Sequence, residues 1–418
     1  MKYFLLAGEA SGDLHASNLI RALQQEDAEA TFVGLGGDKM RDAGCRLLQH
    51  YRNMAFMGVI AVLANLKKIR ENFRIAEQGL LDERPDVLVL IDYPSFNLKI
   101  AQFCKTNLPQ TKIVYYIPPK VWAWKTFRIH KIARLSDLVL GIFPFEPTFY
   151  AKYGYRCEYV GNPTMDSIRE YQSLFHQRSG PSSISAAVHL PSAEGGPSSI
   201  SVSGPVTIAL LPGSRRSEIK HCLPTMLAAA REVLRSESII QPKAVHLPSA
   251  EGGPSSISVS GPVITVAAAP GIEDSFYAPY LQGEQLTRDT YQLVTQAKAA
   301  IVNSGTATLE TALLNCPQTA VYYIACSKWL GWLKPFIFKI PFFTLVNIVP
   351  AREVIKELIA FNFTKAKIVA ELTRLLTDEP YRQQMLADYD EIRSILGCLE
   401  HSNISAAATA AKRIVSLK

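Results

Sequence analysis

Four short segments place polar residues directly after apolar runs, where the carboxyl end of a strand would present them to a ligand. The first is Gly8-Glu9-Ala10-Ser11-Gly12-Asp13, which follows Tyr3-Phe4-Leu5-Leu6-Ala7 and precedes Leu14, Leu19, Ile20 and Leu23 at roughly helical spacing. A glycine-bearing turn between strand and helix lets backbone N–H groups face a ligand without Cβ obstruction. This turn also carries two carboxylates and a hydroxyl, more chemistry than a turn requires. An acid near a helix N-terminus gains roughly 0.3–1 kcal/mol from the dipole, which gives Asp13 a structural reason and leaves Glu9 as a candidate for acid–base work. The second segment is Ile91-Asp92-Tyr93-Pro94-Ser95-Phe96-Asn97, closing the run Val87-Leu88-Val89-Leu90-Ile91. A carboxylate there can take a proton from an attacking hydroxyl, or it can simply cap the helix that follows.

The other two segments suit an anion. Asn303-Ser304-Gly305-Thr306 opens a helix after Ala300-Ile301-Val302 and offers free N–H groups, two hydroxyls and the positive end of a helix dipole. Glu310, four residues beyond Thr306, is placed to accept from a ribose diol; the same spacing nearly fits a capping box. Leu211-Pro212-Gly213-Ser214-Arg215-Arg216 follows another core run, and an arginine on a glycine turn pairs with phosphate oxygens through its planar fork. Two anion-binding turns in one sheet point to a nucleotide diphosphate. Neither segment is GxxxxGK[ST] or GxGxxG, which disfavours Walker-type phosphoryl transfer and nicotinamide chemistry.

These turns need a scaffold, and the chain alternates strand-like and helical runs throughout. Runs apolar on both faces and separated by helices predict parallel sheets covered on both sides. Two such series, broken between Gly161-Asn162-Pro163 and Gly204-Pro205, predict an α/β protein of two doubly wound, Rossmann-like domains. The expected boundaries are 1–165 for the first domain and 207–370 for the second, with helices over 371–418 that pack back on the first. The twenty residues 187–206, AVHLPSAEGGPSSISVSGPV, recur unchanged at 244–263. Their Pro, Gly and Ser content predicts disordered inserted loops rather than a solenoid, and His189 and His246 within them are not read as catalytic.

Composition narrows the classes. A chain of 418 residues with 48% hydrophobic content supports two or three real cores. Seven cysteines without CxxC spacing predict buried thiols in a reducing compartment and no zinc site. The apolar run after Lys2 is too short for a signal peptide, and Glu9 and Asp13 interrupt it, so a cytoplasmic first strand is expected. No stretch reaches about 18 uncharged apolar residues, so no spanning helix is expected. Asp388-Tyr389-Asp390 reads as the solvated face of a polar helix rather than a metal site.

Two segments look interfacial. Val121-Trp122-Ala123-Trp124-Lys125 leads into Arg128, Lys131 and Arg134 at three-residue spacing. Residues 328–339 hold Trp329, Trp332, Phe336 and Phe338 among Lys328, Lys334 and Lys339. Trp with Lys favours the headgroup zone of an anionic membrane surface. No recognised nucleic-acid module accompanies either basic segment.

Taken together, AGEASGD (7–13), FVGLGGDKM (32–40), MAFMG (54–58), PDVLVLIDYPSFN (85–97), PKVWAWK (119–125), FPFE (143–146), VGNP (160–163), LLPGSR (210–215), SGTATLE (304–310) and LVNIVPARE (345–353) resemble the lipid-A-disaccharide synthases, glycosyltransferase family 19. The motifs arrive in family order and cover nearly the whole chain outside the repeats. Ile117-Pro118-Pro119 departs from the family, which often has Ser before the second Pro. The resemblance implies a GT-B fold with the active site in a cleft between the domains, needing neither cofactor nor metal. It implies inverting transfer of 2,3-diacylglucosamine from its UDP derivative to 2,3-diacylglucosamine 1-phosphate (lipid X), with release of UDP. Asp92 is then the first choice of base and Glu9 the second. Gly213, Ser214, Arg215, Ser304, Gly305, Thr306 and Glu310 hold the UDP, joined by Asn347 and Arg352 from LVNIVPARE. The N-terminal turn contributes Gly8, Ser11, Gly12 and Asp13. Trp122, Trp124, Lys125, Arg128, Lys131, Trp329, Trp332, Lys334 and Phe336 would rest on the inner face of the inner membrane, with a homodimer left open. A UDP-sugar epimerase of the same architecture and a non-catalytic nucleotide-sugar-binding protein are the alternatives.

Overall fold

The structure, a computed structural model, describes residues 1–54, 66–123, 125–178, 207–236, 263–303, 305–323, 341–397 and 405–417. Contacts divide the chain into two compact units, the first built from Met1–Asp166 and Leu396–Lys418 and the second from most of the chain between them. Trp124, Ser304, the segment carrying Trp329, Trp332, Lys334 and Phe336, and both repeats except Val263 lie outside the described residues.

In the first unit, strands β1 (Lys2–Ala7), β2 (Thr31–Gly36), β3 (Arg46–His50), β4 (Val87–Ile91), β5 (Lys112–Tyr116), β6 (Leu138–Gly141) and β7 (Glu158–Tyr159) form one parallel sheet in the order β3-β2-β1-β4-β5-β6-β7. Alternate residues leave opposite faces of a strand, so each strand feeds two cores. Tyr3, Leu5, Ala7, Val87, Val89 and Ile91 pack on one side with Leu19, Ile20 and Leu23 of the helix Ala10–Glu26. Phe4, Leu6, Leu88 and Leu90 pack on the other with Leu80, Ile100 and Ile132. The closing helix Ala406–Val415 presents Ala407, Ala410, Ala411 and Ile414 to the first of these cores, its small side chains letting it lie close to the helix Ala10–Glu26.

The second unit repeats the plan. Strands β8 (Thr207–Leu211), β9 (Val263–Ala267), β10 (Gln285–Thr287), β11 (Ala299–Asn303), β12 (Gln318–Tyr322) and β13 (Glu357–Ile359) pair in the order β10-β9-β8-β11-β12-β13, all parallel. Both sheets start from an inner strand, run to one edge, then cross back, so the direction of travel reverses between β1 and β4 and again between β8 and β11. Ligands of open parallel sheets bind at the carboxyl ends of the strands where that reversal occurs.

The terminal helices divide between the units: Lys365–Thr377 and nearly all of Glu379–Leu396 belong to the second, Ala406–Val415 to the first. Asp388-Tyr389-Asp390 is not a solvated face. Asp388 is buried and Tyr389 fully so, its hydroxyl donating to the Cys316 carbonyl at 3.4 Å, and only Asp390 meets solvent. Among the described residues there is no cluster of three or more metal-ligating side chains, and no helix long and apolar enough to cross a membrane. Cys45, Cys104, Cys157, Cys222 and Cys316 are buried free thiols.

Candidate active site

In the first unit, register sets the geometry. Ala7 pairs with Ile91 and Ile91 with Tyr116, so Glu9, Asp92 and the loop after Tyr116 emerge side by side at the carboxyl edge, flanking the reversal. The backbone there is held out of its ordinary range. Asp92 and Tyr93 both have φ near 44° and Ile117 has φ 58°. A left-handed β-branched residue is an outlier, and each such position costs about 1–3 kcal/mol that its surroundings must offset. Here they do so with hydrogen bonds. Asp92 N–H donates to the Ile117 carbonyl at 3.2 Å, while the Asp92 carbonyl accepts from the Tyr115 hydroxyl and from Asn97 Nδ2, each at 2.8 Å.

The Asp92 side chain reaches solvent, yet enough protein surrounds it that burial raises its carboxyl above the usual aspartate value. The charge of Lys120 and the Tyr93 N–H pull the other way. Burial, then the Glu9 charge, raises the Tyr93 phenol, which places Glu9 beside the same turn. Tyr93 donates to the Met54 carbonyl at 2.8 Å and lays its ring over Gly8, where a Cβ would fall 2.3 Å from the ring. Gly8 therefore serves Tyr93 packing rather than an open ligand face, which corrects the expectation for that glycine.

Asp13 is corrected as well. It is buried, and its carboxylate accepts from the Gly37, Met40 and Lys39 N–H groups at 2.9, 3.0 and 3.2 Å, capping the short helix Asp38–Asp42. Gly12 lies against Ala7, and of Gly8, Ser11 and Gly12 only Ser11 stays exposed. Sequence reasoning missed three groups nearby. His15 is kept neutral by burial, which pushes it down to about 4, and its Nδ1 has no hydrogen-bond partner among the described residues. Glu146, 1% exposed, accepts from Ile142 N, Phe143 N and Trp122 Nε1, and burial still pushes it up to about 7. The charges of Asp92 and Glu146 both act on Lys120, opposing the burial that lowers it. The FPFE and PKVW strings carried a signal for the last two, but only the fold brings them together.

Trp122 does not face a membrane. It is 8% exposed, edge-on to Phe143 and Phe145 at 6.0 and 5.2 Å, with its indole N–H on Glu146 at 3.2 Å. Among the described residues of this region the exposed aromatic is Phe127, at 71%, beside exposed Lys125 and Lys131 and half-buried Arg128.

In the second unit, Leu211 of β8 pairs with Val302 of β11, so the two anion turns are neighbours. They touch: a Cβ on Gly213, whose φ is 120°, would lie 2.6 Å from Asn303 Nδ2 and 2.6 Å from Glu218 Oε2, so only glycine fits. The Pro212–Arg215 turn is not the open cradle its sequence suggests. Glu218 Oε2 accepts from Ser214 N and Arg215 N at 3.0 and 3.3 Å, and Oε1 accepts from Arg215 Nη1 at 3.0 Å. What remains outward is part of the Arg215 guanidinium, whose side chain is 45% exposed.

The other turn is open. Gly305 is the N-cap of the helix Thr306–Leu313 without a side-chain cap, no atom lies within 4 Å of its Cβ position, and Thr306 is exposed. The capping box that the Thr306–Glu310 spacing nearly fits does not form; Glu310 instead accepts from the Tyr291 hydroxyl at 3.3 Å, and burial raises its carboxyl. At the same edge, exposed His221 stacks on Tyr323 at 4.5 Å, a flat pair that no sequence spacing announces.

Asn347 and Arg352, expected to hold the UDP, spend their polar atoms on partners within their own unit. Asn347 is fully buried: its Nδ2 donates to the Ile355 carbonyl and Glu357, and its Oδ1 accepts from Val354 N and Ile355 N. Arg352 pairs with Asp388 at 2.9 Å and with Glu391. Both fasten the LVNIVPARE loop to its own unit.

Two doubly wound parallel sheets, each with polar residues at its reversal point, define the GT-B class of two-domain α/β proteins. Solved structures agree at the level of fold: UDP-GlcNAc 2-epimerase from Neisseria meningitidis has a TM-score of 0.53 at 10% identity, covering 100% of this chain and 99% of its own. The calicheamicin glycosyltransferase gives 0.53 at 13% identity, covering 99% and 97%. The family model described as lipid-A-disaccharide synthetase matches residues 3–251 and 273–414, and the lipid-A-disaccharide synthase of Trichlorobacter lovleyi is 33% identical over 95% of this chain and 93% of its own. The chain belongs to the lipid-A-disaccharide synthetase family.

Proposed function

We infer that this chain is a glycosyltransferase of lipid A biosynthesis, joining UDP-2,3-diacylglucosamine to 2,3-diacylglucosamine 1-phosphate and releasing UDP. The observation that carries the reading is the family match over nearly the whole chain, together with the paired turns at the β8–β11 reversal. The second unit binds the UDP. The open N-terminus at Gly305 and Thr306 receives diphosphate oxygens, Ser304 of the same motif adds a hydroxyl, the outward part of Arg215 adds charge, and Glu310 accepts from the ribose. As the glycosidic bond breaks, negative charge gathers on the leaving diphosphate, and one preorganised donor there is worth about 3–4 kcal/mol of barrier. The first unit supplies the base: Asp92 takes the proton from the acceptor's 6-hydroxyl as that oxygen attacks the anomeric carbon, with Glu9 as the second choice.

UDP release measured with the diacylated donor, with and without lipid X, tests the reading. Release that requires lipid X is expected; release indifferent to it, or epimer formation from UDP-N-acetylglucosamine alone, removes it.

The acyl chains of both substrates need an apolar surface, and the protein docks on the anionic inner face of the inner membrane to reach them. Exposed Phe127 among Lys125, Arg128 and Lys131 supports this, as does the composition of the segment with Trp329, Trp332, Lys334 and Phe336. Trp329→Glu with Lys334→Glu is expected to move the protein from sedimented anionic vesicles to the supernatant; unchanged sedimentation would remove that segment from the contact.

A further inference from the structure

We propose that Tyr323, stacked on His221 and met edge-on by Phe363, is a shelf for an acyl chain of the donor and makes the second unit selective for an acylated sugar nucleotide. The proposal deepens the reading of this chain as a transferase of diacylglucosamine and rests on it.

Register puts the shelf beside the diphosphate turn. Asn303 of β11 pairs with Val321 of β12, and Tyr322 of β12 pairs with Ile359 of β13. Gly305, Tyr323 and Ala360 therefore leave three neighbouring strands side by side at the carboxyl edge. Ala360 is left-handed, with φ 55°, a strained conformation for a residue with a Cβ. It opens the short turn Ala360–Asn362, after which the Phe363 ring meets Tyr323 at 6.4 Å and 72°. His221 lies flat on Tyr323, with centroids 4.5 Å apart and planes 9° from parallel. Its own helix, Arg216–Arg235, fixes the imidazole, because Nδ1 donates to the Ser217 carbonyl at 2.6 Å. The next residue, Cys222, is buried with its thiol 3.8 Å from Asn303 Oδ1, which holds that helix against the end of β11.

These rings are built into place yet left uncovered. Tyr323 is 42% exposed, and Phe361, in the turn after β13, is 52% exposed. Aromatic rings gain most when they are covered, so a fixed, exposed group of them at a ligand edge calls for an apolar ligand. The donor brings one, since its glucosamine carries two acyl chains that must leave water. The direction of the donor agrees. The steps from β8 to β9 and from β11 to β12 run opposite ways along the sheet, so right-handed crossovers put the helices Arg216–Arg235 and Thr306–Leu313 on opposite faces. Glu310 lies on the second of these helices. With the ribose at Glu310 and the diphosphate at Gly305, the glucosaminyl end departs toward the other face, where His221 holds Tyr323.

The test measures kcat/KM for UDP-2,3-diacylglucosamine carrying long acyl chains and carrying butanoyl groups, with lipid X as acceptor, beside the Kd of UDP. Tyr323→Ser is expected to lose about tenfold with the long-chain donor, the size of effect when roughly two methylenes lose their cover. The butanoyl donor and UDP should stay within about twofold of the parent, and retained UDP affinity reports that the second unit is folded. Tyr323→Phe, which keeps the ring, should match the parent with every ligand. An equal loss with both donors, a loss of UDP affinity in step, a Tyr323→Phe as impaired as Tyr323→Ser, or no loss at all overturns the shelf. A parent that releases no UDP from either donor removes the transferase reading itself, whereas an active parent with an unchanged chain-length preference in Tyr323→Ser sinks the role of Tyr323 alone.

Discussion

Glu146 is buried with three N–H donors aimed at it, and burial still outweighs them, raising its carboxyl from 4.5 to about 7. The folded chain thus holds this proton more tightly than the unfolded chain does. Its contribution to stability is complete below the unfolded value and is lost as pH rises through about 7, amounting to about 3 kcal/mol. Glu146→Gln, whose carbonyl still accepts from the Ile142 and Phe143 amides, should flatten that part of the stability profile. Urea midpoints of parent and variant on either side of neutrality measure it, and parallel profiles would count against the burial argument. Residue types were legible from sequence here, but their partners were not. A tryptophan next to a lysine has the same spelling whether it rests on lipid or, like Trp122, plugs onto a buried glutamate. Asn347 and Arg352 sit in a family motif, yet their hydrogen bonds close a loop and anchor a helix.

At the scale of elements, the alternation of apolar runs and helices made both parallel sheets readable, because strands buried on two faces have little choice of residue. The turns between them were read less well. The Gly8–Asp13 and Pro212–Arg215 segments have the composition of ligand loops, but carboxylates of the chain itself occupy part of each: Asp13 is spent on the loop after β2, and Glu218 on the amides of its own turn. Such claims join residues that only register brings together. Asp13→Ala would leave three N–H groups without their acceptor, a cost of about 3 kcal/mol in unfolding free energy. Amide exchange at Gly37 and Met40 should speed up in this variant even where the rest of the first unit stays protected. Unchanged exchange at those two amides would mean that the carboxylate is not their acceptor.

At the scale of the whole chain, the two repeats are the feature that neither fold nor family explains. The first leads into β8 and the second ends on Val263, the first residue of β9, so the identical copies feed adjacent strands of one sheet, where Thr207 pairs with Val263. If they were a structural unit, removing them would undo that pairing, which holds the wall behind the UDP turns. If they are inserted connections, the pairing is set by the strands themselves, and Ile208, Leu210, Ile264 and Val266 already bury side chains enough to fix it. Closure entropy changes only by about 0.6 kcal/mol for each doubling of loop length, so a shortened connection should cost nothing and stabilise slightly. Replacing both copies by short Gly-Ser connections, with Val206 and Val263 kept, should therefore leave UDP affinity within about twofold and raise unfolding free energy by about 1 kcal/mol in total. Titration with UDP and urea unfolding decide the matter: a loss of several kcal/mol, or loss of UDP binding, would show that the repeats are part of the second unit's fold rather than passengers between its strands.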